Sequence, residues 1–240
     1  MTKFKTHKKK GAAAIITAAV LALIALFGMA ACSNAAQSGT GTDGSTAPPA
    51  APFVEGDASL ILSPDKLVIN VRVRTADGTT VTVEGCEETT LTSSGTETVL
   101  HAKGTTVILK GNITELDCSW NKLTELNVQG LTALQELFCH FNQLTELNVQ
   151  DLTALKYLAC HGNRLNAEAF TKLFNDLPKQ ANSDRANCVL YIEKPGFIDD
   201  NHTDFTAPPD LAASFNNAKT VKKWKMYMYK VNGIKNWVEL

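Results

Sequence analysis

Residues 113–133 read ITELDCSWNKLTELNVQGLTA, residues 134–154 read LQELFCHFNQLTELNVQDLTA, and residues 155–165 read LKYLACHGNRL. The same pattern returns every 21 residues: Leu116, Leu137 and Leu158 match, as do Cys118, Cys139 and Cys160. Asn121, Asn142 and Asn163 keep the same step, and so do Leu123, Leu144 and Leu165. A fixed period in the twenties predicts that each copy is one turn of a solenoid, which buries its apolar face against the next turn. Within Leu137-Phe138-Cys139, apolar positions alternate about Phe138, the period-2 pattern of a strand with one buried face. Stacked copies would pair these strands in parallel. The later apolar positions, Leu123, Leu126 and Val128 and then Leu144, Leu147 and Val149, predict extended segments on the opposite side, broken at Gly130 and Asp151.

The spacing resembles that of the leucine-rich repeat family, L-x-x-L-x-L-x-x-N-x-L, with Cys at the third apolar position in all three copies. The resemblance covers roughly a quarter of the chain. It implies a strand-rich α/β solenoid with a parallel β-sheet on its concave face, and a turn Asn that points inward to bond neighbouring backbone groups. The structural core would then comprise Leu116, Cys118, Asn121, Leu137, Cys139, Asn142, Leu158, Cys160 and Asn163.

Outside the repeats, the chain divides into further stretches. Lys3, Lys5, Lys8, Lys9 and Lys10 precede an apolar run, Ala12 to Phe27, as in a signal peptide over residues 1–31. The rival reading, a permanent signal anchor, suits the short run less well. Met29-Ala30-Ala31-Cys32 resembles the lipobox of bacterial lipoproteins, with Met in place of the usual Leu. That implies acylation of Cys32 and a lipid anchor without a spanning helix. Residues 32–57 are rich in Ser, Gly, Thr, Ala and Pro and read as a flexible linker. Removing five lysines and no acids changes the formal charge from −1 to −6. An acidic mature chain argues against nucleic acid as a partner.

Residues 58–112 are expected to form an N-terminal β cap on the repeats of 113–177; an immunoglobulin-like module is the less favoured reading. Lys66 to Thr75 and Thr79 to Glu84 alternate about the turn Ala76-Asp77-Gly78, which predicts a hairpin. Thr98 to Ala102 and Thr105 to Lys110 predict two more strands. After Asn166, a good N-cap, Phe170, Leu173, Phe174 and Leu177 have helical spacing up to Pro178. Residues 178–240 read as a C-terminal α/β cap. They contain a strand at Cys188 to Glu193, a helix at Asp210 to Lys219 and a hairpin about Asn232-Gly233. In that hairpin Trp224, Met226 and Met228 form the apolar face of an edge strand.

Catalysis finds little support. G-x-S-x-G, H-E-x-x-H, the P-loop and the glycine-rich dinucleotide turn are all missing from the sequence. Asn201-His202-Thr203-Asp204 reads as a surface loop. The thiols recur at repeat spacing rather than as C-x-x-C, so they are expected to act as small core hydrophobes, with no metal and no cofactor. Outward positions of the strands gather Trp120, Phe138, His140, Phe141, Tyr157 and His161 on one face, where a contiguous aromatic patch marks an interface. The expected function is therefore non-catalytic. A lipid-anchored, monomeric protein of the bacterial outer membrane or cell surface would bind a protein partner, such as a host or neighbouring-cell surface, through that concave face. An envelope scaffold with an endogenous partner is the alternative, and an envelope enzyme with its site in the C-terminal region is the weakest reading.

Overall fold

A computed structural model describes residues 56–181, 186–231 and 235–240. The signal segment, Cys32, nearly all of the linker and the Asn232-Gly233 turn lie outside the described residues.

Two sheets share one core. The first contains β1 (Asp57–Leu62), β3 (Val81–Glu84), β4 (Thr90–Leu91), β6 (Thr106–Lys110) and β8 (Leu123–Asn127), in the order β4-β3-β6-β1-β8. Every pairing in it is antiparallel. The second contains β2 (Val68–Thr75), β5 (Thr98–His101), β7 (Ile113–Asp117), β9 (Glu136–Phe138), β10 (Tyr157–Ala159), β11 (Ala186–Glu193), β12 (Trp224–Val231) and β13 (Lys235–Glu239). Its order is β13-β12-β11-β10-β9-β7-β2-β5. Four pairings in its middle are parallel, and antiparallel pairs close it at both sides.

This architecture corrects the expected fold class. Antiparallel pairings outnumber parallel ones, seven to four, and the chain forms two mixed or antiparallel sheets rather than a parallel-sheet leucine-rich repeat solenoid with separate caps. The reason is visible in β1 and β2. β1 inserts between β6 and the repeat strand β8, and β2 pairs directly with the repeat strand β7. The segment read as an N-terminal cap thus supplies strands to both sheets. The expected hairpin across Asp77-Gly78 does not form either: β2 and β3 enter different sheets. Alternation reports that one face of a strand is buried but not which strand lies beside it.

Charge favours the register of β2 on β7. Arg72 lies opposite Asp117 and Arg74 opposite Glu115. Arg72 reaches Asp117 at 2.9 Å and Glu115 at 3.3 Å, and Arg74 reaches Glu115 at 2.8 Å. Opposite charges on facing positions favour that register by a few tenths to about 1 kcal/mol each.

The 21-residue step appears as strand register. Leu116 faces Leu137, which faces Leu158, and all three are fully buried. Cys118, Cys139 and Cys160 are equally buried, each Sγ lying 3.5–3.6 Å from a backbone carbonyl of the next strand. Burial pushes the Cys118 and Cys139 thiols well up, so neither is a thiolate at neutral pH. The second unit's Leu144, Leu147 and Val149 are buried without forming a strand, linked to β8 by an isolated bridge between Asn127 and Asn148.

The turn asparagines form a ladder. Asn142 Oδ1 accepts from the backbone N–H of Asn121 at 3.0 Å and of Leu123 at 2.9 Å. Its Nδ2 donates to the carbonyls of Cys118 and Cys139, both at 3.0 Å. Asn163 accepts from Leu144 N–H and donates to the Cys139 and Cys160 carbonyls, and Asn121 accepts from Asn70 N–H and donates to the Asn70 and Cys118 carbonyls. Asn201 adds a further rung, accepting from Leu165 N–H and donating to the Cys160 and Leu190 carbonyls. Its side chain is therefore core, which corrects the surface-loop reading at Asn201, while Thr203 and Asp204 are exposed.

Helix α1 (Ala167–Asp176) starts where Asn166 accepts from Ala169 N–H at 2.8 Å. It buries Phe170, Leu173 and Phe174. Phe170 and Phe174 pack on Phe205, and Phe174 also packs on Phe215 of helix α2 (Pro209–Thr220). β12 is not an edge strand, because β13 covers it.

Candidate functional site

The open face of the eight-stranded sheet carries the aromatic residues. Phe138 and Tyr157 sit on β9 and β10 with ring centroids 4.9 Å apart. Their neighbours Leu137 and Leu158 point the other way and are fully buried, so the pleat separates core from surface within one residue. Beyond the strands, Trp120 and Phe141 stack at 3.8 Å with an angle of 24°. Trp120 is 61% exposed.

Trp120 and Phe141 both adopt left-handed backbone, with φ of +63° and +52°; Gly162 takes the same conformation at the equivalent step, with φ of +67°. Only glycine reaches that region without steric cost, so the first two copies hold large aromatics where a relaxed chain would choose glycine. The rings depend on the third copy. A Cβ on Gly162 would lie 2.6 Å from Phe141 Cδ1, so Phe141 rests on the space that this glycine leaves open.

Beneath the rings, His140 and His161 stack at 4.6 Å and 10°. His140 Nδ1 lies 2.8 Å from Ser119 Oγ. A serine beside an imidazole is the geometry of an activated nucleophile, but that geometry also needs a third group to orient the base. Asp117 is the nearby carboxylate, and it is bound to Arg72 and to Ser119 N–H. The pair therefore fixes the position of His140 within the face.

His161 is 5% exposed, which corrects its expected place on the open surface. Its Nδ1 is buried with no hydrogen-bond partner among the described residues. Burial, and then the neighbouring His140, push His161 down to about 3; burial likewise lowers His140. Both rings are neutral at neutral pH, so they give binding no charge to lose between about pH 5 and 7. The consequence falls on stability instead. Between the ordinary value of 6.5 and about 3, the unfolded chain binds a proton at residue 161 and the folded chain does not. Stability is therefore complete above about pH 6.5 and falls with pH below it, by on the order of 2–4 kcal/mol. Urea unfolding at pH 7.0 and 4.5 should show a smaller acid loss for His161→Gln than for the native chain. An equal loss in both would show that His161 carries none of it.

Two aromatics missing from the sequence reading complete the face. Tyr229 on β12 packs on Trp237 of β13 at 5.1 Å. The signal for Tyr229 lay in the alternation of Tyr227 and Tyr229 against the buried Trp224 and Met226. A groove of about 360 Å³ runs between Trp120 and Phe141 at one side and Tyr229 and Trp237 at the other, floored by Phe138, Tyr157, Ala159 and both histidines. A second cavity of about 380 Å³ adjoins it at Trp120 and His140 and is lined by Arg72, Glu97 and Asp117. Burial pushes the Tyr157 hydroxyl up to about 12, which leaves it a hydrogen-bond donor at neutral pH. Comparison with protein-family models, with curated proteins and with solved structures returns no match.

Proposed function

We propose that this chain is a non-catalytic binding protein of the bacterial envelope, anchored through acylated Cys32, which engages a protein partner with the aromatic groove. One observation carries the reading: Trp120 and Phe141 are held, stacked, in left-handed backbone beside Phe138 and Tyr157. Unfavourable backbone at a surface aromatic is retained where that ring has a task. Aromatic side chains ordered before contact lose little entropy on binding and concentrate its energy. The partner meets a surface that needs no rearrangement. The linker of residues 32–57 lifts this surface away from the membrane on which the anchor sits.

Capture from envelope extracts tests the reading. The native chain should retain a partner that the combined variant Trp120→Ala, Phe138→Ala, Phe141→Ala and Tyr157→Ala fails to retain, with both chains folded by circular dichroism. Equal retention would exclude the face. For the anchor, Cys32→Ala should abolish metabolic labelling with palmitate and leave the precursor uncleaved; persistent labelling would exclude Cys32 as the acylation site.

A further inference from the structure

The aromatic groove has a charge environment that selects among possible occupants. Nothing lining it is charged at neutral pH: its walls are the rings of Trp120, Phe138, Phe141, Tyr157, Tyr229 and Trp237, and both imidazoles are neutral. Its flanks are acidic. Glu136 neighbours Tyr157 across the β9–β10 pairing, and Glu97 and Asp117 line the adjoining cavity. Asp117 and Glu115 are neutralised by Arg72 and Arg74, whereas Glu97 and Glu136 make no ion pair among the described residues. Lys66, near the Trp120 side, is held on the Trp120 carbonyl. The formal charge of the chain after residue 31 is −6.

The face already shows how it handles a cation. The Arg72 guanidinium lies over the Phe138 ring at 5.8 Å while it pairs with Asp117 and Glu115. A planar guanidinium can stack on an aromatic ring and present its donors to a carboxylate at the same time; an ammonium group does this less well. Arg72 already occupies the Phe138 member of the pair; the Tyr157 ring, with Glu136 beside it across the β9–β10 pairing, offers the same combination with no cation on it among the described residues. The floor of the groove is the middle of a paired sheet, so its backbone groups are committed to strand ladders and cannot receive an added strand. Recognition must come from side chains.

We infer that the partner presents an arginine side chain to this groove, its guanidinium stacked on the Tyr157 ring and directed at Glu136. This rests on the proposed binding function and deepens it to the chemistry of the contact. Rings supply the stacking surface, and the unpaired carboxylates attract the positive charge and orient it.

The test uses the full chain in detergent micelles, with tryptophan fluorescence as the readout. The probes are a short glycine-flanked arginine peptide and its citrulline counterpart, which has nearly the same shape without the charge. The arginine peptide should give saturable quenching, at least tenfold tighter than the citrulline peptide, and should weaken as salt is raised. Glu136→Gln should weaken it several-fold with no change in thermal midpoint. Equal binding of arginine and citrulline peptides, or an arginine affinity unchanged by Glu136→Gln, would overturn the inference. Should neither peptide bind while the four-alanine variant still loses its captured partner, the arginine contact fails and the binding function stands. If that variant also retains the partner, both fail.

Discussion

Leu137→Ala is expected to destabilise the protein by about 2–5 kcal/mol, whereas Phe138→Ala, one residue along the same strand, should cost about 0.5–1.5 kcal/mol. Leu137 is fully buried between Leu116 and Leu158, and its truncation leaves a cavity that two flanking strands cannot collapse to fill. Phe138 is half-buried on the open face, where its loss removes a ring pair with Tyr157 and a guanidinium contact with Arg72. Partner affinity should respond in the opposite order: Phe138→Ala should weaken it by about 1–3 kcal/mol, and Leu137→Ala should leave it unchanged in chains that remain folded. Urea unfolding of both variants provides the check. Equal destabilisation would mean that the strand phase, and with it the open face, has been misassigned.

The second large effect is expected at Asn142. Its amide makes four hydrogen bonds inside the protein, two accepted from Asn121 and Leu123 and two donated to Cys118 and Cys139. Alanine would leave the buried N–H groups of Asn121 and Leu123 without this acceptor, while the Cys118 and Cys139 carbonyls each keep one donor, from Asn121 and Asn163. At roughly 1–3 kcal/mol for each unsatisfied group, with partial relaxation, Asn142→Ala should cost about 3–5 kcal/mol. Asn142→Asp should give no rescue, because it keeps the acceptor but sets a carboxylate against two carbonyl oxygens. Asn148→Ala is the control. Asn148 accepts a single local bond from Gln150 N–H at a partly exposed turn and should cost under about 1 kcal/mol. A mild effect at Asn142 would show that the ladder is not what fixes the turns.

These two positions also show what the sequence made legible. Repetition at 21 residues identified the inward Leu, Cys and Asn positions, because each is constrained by the copy beside it. It also placed Phe138 and Tyr157 outward through simple alternation. Pairing between distant segments was harder. β1 has no repeat partner in the sequence, and nothing in its residues announces that it will sit between β6 and β8. The β2–β7 pairing did leave a trace, in arginines at 72 and 74 that match carboxylates at 117 and 115, but hairpin logic favoured the nearer strand. Asn201 escaped notice because the last rung of the ladder lies outside the 21-residue register, on a stretch that reads as polar loop. His161 was placed correctly on the face by register, yet the rings around it remove it from solvent.

The open aromatic face is most directly tested by photo-crosslinking in the intact envelope, with benzoylphenylalanine introduced in place of Phe138 or, separately, of Leu165. Leu165 is fully buried beneath the Asn201 rung. The account predicts a crosslink from position 138 to another macromolecule, competed away by soluble native chain, and crosslinks from position 165 confined to the chain itself. Position 138 giving crosslinks only within its own chain would contradict it.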